Sequence, residues 1–130
     1  MAACIIFGGA GYIGTKLAEY VLEKGIFSTV YLADIKESAL LGQEGIIYQR
    51  IDVREAIPTD KIQHPIDWIF NFAAIHREPG HASHEYFETN IKGAENVCAF
   101  AERVNCKNIF FTASISVYGP TLKPTDEYTL

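Results

Sequence analysis

The chain has 130 residues, 48% of them hydrophobic and 21% charged, with a formal net charge of −5. That length and balance suit one folded domain with a core of its own and exclude an intrinsically disordered chain. No cluster of Lys and Arg interrupts the acidic balance, which excludes nucleic-acid binding through a basic face. Residues 1–14 carry no basic leader, and the apolar run at 2–7 is too short for a signal or membrane segment. A soluble, cytoplasmic protein without a membrane partner is expected. Cys4, Cys98 and Cys106 have no paired spacing, and free thiols, two of them in apolar stretches and buried, are expected.

In chain order, AACIIFG at 2–8 is a continuous apolar run closed by glycine, the pattern of a buried parallel strand. GYIGTKLAEYVLEKG predicts a helix with Ile13, Leu17, Tyr20, Val21 and Lys24 at helical spacing and Gly25 at its C-terminal cap. STVYLADI at 28–35 and EGIIYQRIDV at 44–53 predict two further strands. KESALLGQ between them reads as a loop or a single turn. Residues 54–65, bounded by Pro58 and Pro65, leave room for one or two helical turns, and IDWIFNFAA at 66–74 predicts a fourth buried strand. IHREPGHAS is a loop by its Pro-Gly step. One long helix is predicted over 83–105, N-capped by Ser83, with Phe87, Ile91, Ala94, Cys98 and Ala101 on one stripe and Gly93 weakening its middle. NIFFTAS at 108–114 predicts a fifth strand, also buried. Strands alternating with helices make the fold class α/β: a doubly wound parallel sheet, a Rossmann fold, with strand order 3-2-1-4-5.

GGAGYIG at 8–14 places Gly8, Gly11 and Gly14 between a predicted strand and a predicted helix. The first suits a tight turn. The second lets backbone approach a pyrophosphate on the helix N-terminus, and the third lets the helix pack close. Glycines mark ordinary turns too, but here Asp34 ends the next strand 20 residues after Gly14. A carboxylate there accepts hydrogen bonds from an adenosine ribose and repels a 2′-phosphate, so NAD is expected over NADP. Asp52 closes the third strand, where it is either the N-cap of a helix over 53–56 or an adenine contact; the two roles are compatible.

These residues resemble the extended short-chain dehydrogenases, the NAD-dependent epimerases and dehydratases of nucleotide sugars, over residues 5–127. GGAGYIG, with Tyr12 and Ile13 inside it, is similar to the family's glycine fingerprint. ADI (Asp34, Ile35) and IDV (Asp52, Val53) match its ribose and adenine positions. NFAA (Phe72, Ala73, Ala74) resembles the strand-four motif whose backbone borders the cofactor. NIKGAENV resembles N-x-x-G-x-x-N, its Asn90 matching an asparagine that organises the site. FFTASISVYG resembles the strand-five motif, with Ser114 at the catalytic serine or threonine position, and KPTDE resembles the P-x-x-E that follows. The resemblance implies that bound NAD takes a hydride from a sugar carbon to give a keto intermediate. A tyrosine tuned by a lysine removes the hydroxyl proton, and a serine hydroxyl holds the same oxygen. A role in polysaccharide or cell-envelope sugar synthesis is the expected setting.

One element of the family pattern is missing: no Tyr-x-x-x-Lys follows P-x-x-E. Tyr20 and Lys24 have that spacing but lie on the first helix, Tyr118 is followed at the fourth position by Leu122, and Tyr128 is two residues from the last. The 130 residues therefore read as the amino-terminal, NAD-binding segment of a longer enzyme, without the substrate lobe and inactive alone. A non-catalytic dinucleotide-binding or sensor module is the alternative. A different Rossmann-like oxidoreductase or hydrolase lacks a nucleophile constellation such as G-x-S-x-G. Without the resemblance, Ser114 and Ser116 read as polar residues closing a strand. His76, His81 and His84 have no carboxylate or thiolate to complete a metal set, so no metal is expected. His76, directly after NFAA, is placed for a substrate or nicotinamide contact, and Arg77 for a diphosphate, although an exposed charge is the commoner outcome. The helix over 83–105 resembles one that family dimers use, and the last strand would present an open edge. A homodimer or other self-association is expected.

Overall fold

The computed structural model describes residues 2–76 and 80–129. Five parallel strands, β1 (Ala3–Phe7), β2 (Thr29–Asp34), β3 (Ile46–Arg50), β4 (Trp68–Asn71) and β5 (Ile109–Phe111), form one sheet in the order 3-2-1-4-5, as the sequence predicts. The central strand explains the unbroken apolar run at the start of the chain. All five residues of β1 are buried, because both faces of that strand are covered. Ile5, Phe7, Tyr31 and Ile69 face Val97, Phe100 and Ala101 of helix α3 (Gly93–Arg103), with the Phe7 and Phe100 rings edge to face at 5.5 Å. Cys4, Ile6, Val30 and Leu32 face Ala18 and Val21 of helix α1 (Tyr12–Glu23). The two helices lie on opposite faces because the chain leaves β1 in one direction along the sheet and leaves β4 in the other. Right-handed crossovers then require opposite sides.

Several local expectations are corrected. In α1 the buried residues are Gly14, Ala18 and Val21, while Ile13 and Tyr20 are exposed. The small residues let the helix approach the sheet, so the larger apolar ones are pushed to its flanks. Gly25 does end the helix as predicted: its φ is +63°, and its N–H donates to the Leu22 carbonyl. Residues 54–65 form turns and no helix. Pro58 inside the segment and Pro65 at its end deny a helix its length, and the segment is tied to the sheet through Tyr31 instead. The buried Tyr31 hydroxyl accepts from the Gln63 N–H at 3.0 Å and lies 2.7 Å from Nδ1 of His64.

The helix over 83–105 is broken in character. α2 (Ser83–Tyr86) runs into a π-helical segment, Phe87–Lys92, and only then into α3. The Gly93 N–H donates to the Glu88 carbonyl, five residues back. That wider turn shifts the angular register, so of the predicted stripe Ala101 is buried but Phe87, Ile91 and Cys98 are exposed. The other buried residues of α3 are Gly93, Val97 and Phe100. The N-cap is Ala82 rather than Ser83; Oε2 of Glu85 accepts from the Ala82 N–H at 2.7 Å, satisfying one donor of the first turn. β5 is not buried as its apolar run alone suggests, but it presents the open edge that was also expected: among the described residues it pairs with β4 alone, and Ile109, Phe110 and Phe111 are all exposed. Trp68, Phe70, Phe72 and Phe110 form an aromatic cluster beside it, with ring centroids 5.9–6.3 Å apart.

Burial has one titration consequence. Desolvation pushes the Cys4 thiol from 9.0 up to about 12. The folded state keeps this proton where the unfolded state releases it, so its stabilising effect is complete below pH 9 and is lost between pH 9 and 12. The folding equilibrium should fall by roughly tenfold per pH unit across that window relative to a Cys4→Val variant, read from urea melts of both proteins. Parallel loss of stability in the two proteins would contradict it.

Candidate dinucleotide site

All five strands run the same way, so the loops after β1, β2, β4 and β5 meet along one edge of the sheet. Gly8 opens the first of these loops with φ +75°. A Cβ there would stand 2.7 Å from both the Ala73 nitrogen and the Phe72 carbonyl carbon, so the β1 loop and the NFAA segment touch backbone to backbone. The Gly8 and Gly9 N–H groups both donate to the Ala33 carbonyl, and the Phe72 N–H donates to the Phe7 carbonyl. Gly14 packs α1 onto this loop, since a Cβ would lie 2.7 Å from the Gly8 oxygen and Gly9 Cα. Gly11 is different. It precedes α1 without capping it by a side chain, it is exposed, and a Cβ would meet only the Gly8 oxygen at 3.3 Å. The first-turn N–H groups of α1 thus face an open side, beside the exposed side chains of Tyr12 and Ile13.

Asp34, half-buried at the end of β2, reaches across to this loop. Its Oδ2 accepts from the Ala10 N–H and its Oδ1 from the Lys36 N–H, both at 3.0 Å. Each oxygen keeps a lone pair for a further donor. Ile35 beside it is exposed. The cradle of small residues, the open helix terminus and the anchored carboxylate fit a dinucleotide: pyrophosphate at α1 and ribose hydroxyls at Asp34.

Asp52 follows β3. No helix starts there; the Glu55 N–H donates to the Asp52 carbonyl in a single turn, and the carboxylate is held by Arg54. Arg54 keeps the Asp52 carboxyl below the usual carboxylate range, chiefly through its side-chain hydrogen bonds. Val53, next in the chain, is buried, and a Cβ on Gly93 would come 2.8 Å from its Cγ2. Nδ2 of Asn96 donates to the Val53 carbonyl at 2.8 Å. Asn90, in the π-helical turn, holds both backbone groups of Ile75: Oδ1 accepts its N–H at 2.8 Å and Nδ2 donates to its carbonyl at 2.9 Å. The N-x-x-G-x-x-N spacing therefore clamps two loops of the site at once, one after β3 and one after β4.

In the β4 segment Phe72 and Ala73 are half-buried and Ala74 is exposed. Asn71, unnoticed in the sequence, is buried; its Oδ1 accepts the Ala73 N–H at 3.2 Å, and Thr112 Oγ1 donates to its carbonyl. Ser114 lies past β5 as the N-cap of a 3-10 turn (Ile115–Tyr118). Its Oγ accepts from the Ser116 N–H at 3.1 Å and donates to Ser116 Oγ at 2.9 Å, in an exposed position. His76 is exposed, and Arg77 lies outside the described residues. His81 and His84 do not join a metal set; among the described residues no group of three or more His, Cys, Asp and Glu side chains could hold a metal ion.

Gly9, Asn71, Arg54 and Asn96 are the participants that sequence reading missed. The doubled glycine at 8–9 and the second asparagine of N-x-x-G-x-x-N were the available signals. Asn71 opens the NFAA motif and could have been found there; for Arg54 the sequence offered no signal.

Residues 4–130 match the model of the "NAD dependent epimerase/dehydratase family". The N-acetyl-alpha-D-glucosaminyl-diphospho-ditrans,octacis-undecaprenol 4-epimerase of Escherichia coli O157:H7 is 31% identical over 127 residues, which are 95% of this chain and 35% of that protein. The UDP-glucose 4-epimerase uge1 of Schizosaccharomyces pombe is 26% identical over 132 residues, 92% of this chain and 37% of that one. The fold is shared with the ADP-L-glycero-D-manno-heptose-6-epimerase of Helicobacter pylori at a TM-score of 0.81 and 23% identity, over 98% of this chain and 43% of that one. The chain thus spans little more than a third of the length of these curated relatives. With the glycine loop, the two strand-end aspartates and a family model matched almost from end to end, this chain belongs to the NAD-dependent epimerase/dehydratase family.

Proposed function

We propose that this chain is the NAD-binding part of a nucleotide-sugar epimerase or dehydratase. The observation that carries the reading is the glycine loop pressed on the Phe72–Ala73 backbone with the Asp34 carboxylate at its rim. NAD, when bound, supplies reversible hydride acceptance from a sugar carbon. The chain's own residues do the rest. The first turn of α1 receives the pyrophosphate, Asp34 accepts from the adenosine ribose, and Asp52 accepts from the adenine amine. Phe72, Ala73 and Ala74 border the nicotinamide half, and Asn90 holds the loop after β4 in place. Ser114 Oγ binds the substrate hydroxyl by turning its proton away from Ser116 Oγ.

The proton-accepting tyrosine and its lysine belong, on this reading, to the remainder of the parent enzyme, with the sugar-binding lobe. The coding sequence after residue 130 should supply Tyr-x-x-x-Lys on the next helix. The parent should interconvert or dehydrate a nucleotide sugar, by assay of sugar products with NAD supplied. A parent without that motif and without turnover would leave only the binding or sensor module. The 130 residues alone should bind NAD weakly and turn over no nucleotide sugar; measurable turnover would contradict this division of labour. Phe87 and Ile91, exposed beside Cys98, and the open β5 edge should drive self-association, which a stable monomer in size-exclusion chromatography would refute.

A further inference from the structure

The turn after β3 is held from several sides. Asn96 takes the Val53 carbonyl, Gly93 admits the Val53 side chain, and Arg54 grips the carboxylate of Asp52. That last grip is a fork folded back over two residues. Oδ1 of Asp52 accepts from the Arg54 backbone N–H and from Nε, both at 3.0 Å. Oδ2 accepts from Nη2 at 2.6 Å, with Nε also 3.1 Å away. An ionised carboxylate oxygen has two lone pairs and donates nothing. The single Nε proton is shared between the two oxygens, so Oδ1 is filled and at most one lone pair of Oδ2 remains. The carboxylate is still partly open to solvent, with 29% of the side chain accessible. Without the side-chain fork, only the Arg54 backbone N–H to Oδ1 would orient the group, and Oδ2 would be free to turn into solvent.

From this we infer that Arg54 is a specificity-determining positioning residue: it fixes the Asp52 carboxylate so that a single acceptor lone pair selects a purine bearing an amino group over one bearing a carbonyl. The inference rests on the reading of Asp52 as the adenine contact. A 6-amino purine offers an N–H to that lone pair, whereas a 6-oxo purine sets a carbonyl oxygen against it. Lysine in place of Arg54 keeps the charge but not the planar fork. Glu88 and Glu55 also act electrostatically on Arg54, after the larger effect of Asp52.

The test compares NAD with nicotinamide hypoxanthine dinucleotide, its 6-oxo analogue, by calorimetric or NMR titration. The proteins are the wild type, Arg54→Gln, Arg54→Lys and Asp52→Asn. The wild type should prefer NAD by about tenfold, the scale of one hydrogen bond to a charged group. Both Arg54 variants should lose most of that preference, and Asp52→Asn should lose it too. Arg54 is exposed in a surface turn, so thermal midpoints should stay close to wild type and serve as the folding control. Preference kept in both Arg54 variants but lost in Asp52→Asn would overturn the role of Arg54 alone. Restoration by lysine would mean that charge, not the fork, matters, and would also overturn it. Preference kept in Asp52→Asn, or no NAD binding by the wild type, would remove the adenine reading itself.

Discussion

Gly8→Ala is expected to destabilise the fold by about 3 kcal/mol or more and to remove NAD binding with it. Two causes add. The φ of +75° is strained for any residue with a Cβ, and that Cβ would stand 2.7 Å from main-chain atoms of Phe72 and Ala73. A flexible side chain could move aside, but backbone held at the hydrogen-bonded junction of two strands cannot. Relief must come from separating the ends of β1 and β4, whose link here is the hydrogen bond from the Phe72 N–H to the Phe7 carbonyl. Gly42 supplies the control. Its φ is +86°, yet nothing lies within 4 Å of a Cβ built there. Gly42→Ala should therefore cost only the conformational strain, about 1–2 kcal/mol, and leave NAD binding intact. Urea denaturation of both variants measures the difference. Equal losses would show that the close approach of Gly8 to Phe72 and Ala73 is unimportant.

Asp34→Asn should weaken NAD binding by about 10- to 100-fold while barely weakening NADP, so that the preference between them shrinks or reverses. The aspartate oxygens each accept a main-chain N–H, from Ala10 and Lys36. An asparagine has one such oxygen, so one of those donors loses its partner and the loop after β1 loosens. The ribose loses a charged acceptor at the same time. A 2′-phosphate, by contrast, no longer meets a negative charge, and the neighbouring Lys36 can attract it. Titration of wild type and variant with both dinucleotides reads the change. An unaltered ratio of affinities would separate Asp34 from cofactor choice.

How legible these features were depended on whether they are local. Strand order followed from alternating elements and the handedness of crossovers, which any sequence of this pattern obeys. The glycine spacing with Asp34 located the loop because each residue has a backbone reason to be there. Helix faces were less legible. The π-helical turn around Asn90 displaces the register by a fraction of a turn, and periodicity alone assumes that no such turn exists. In α1 the small residues Gly14 and Ala18 decide which side packs, overriding the larger Ile13 and Tyr20. For β5 the apolar letters alone imply cover, whereas its place at the end of the strand order, with a partner on a single side, gives the exposed edge that was also expected. Arg54 was invisible for another reason. Folding an arginine back onto an aspartate two residues before it is a property of the turn, and nothing in the letters IDVRE distinguishes it from a solvated charge.

Titration of the 130-residue protein with NAD and, separately, with NADP is the most direct test of the glycine loop and Asp34 as a dinucleotide site. Saturable binding of NAD, weak but tighter than that of NADP, is the expected result. No saturable binding up to several millimolar NAD, or a preference for NADP, would contradict it.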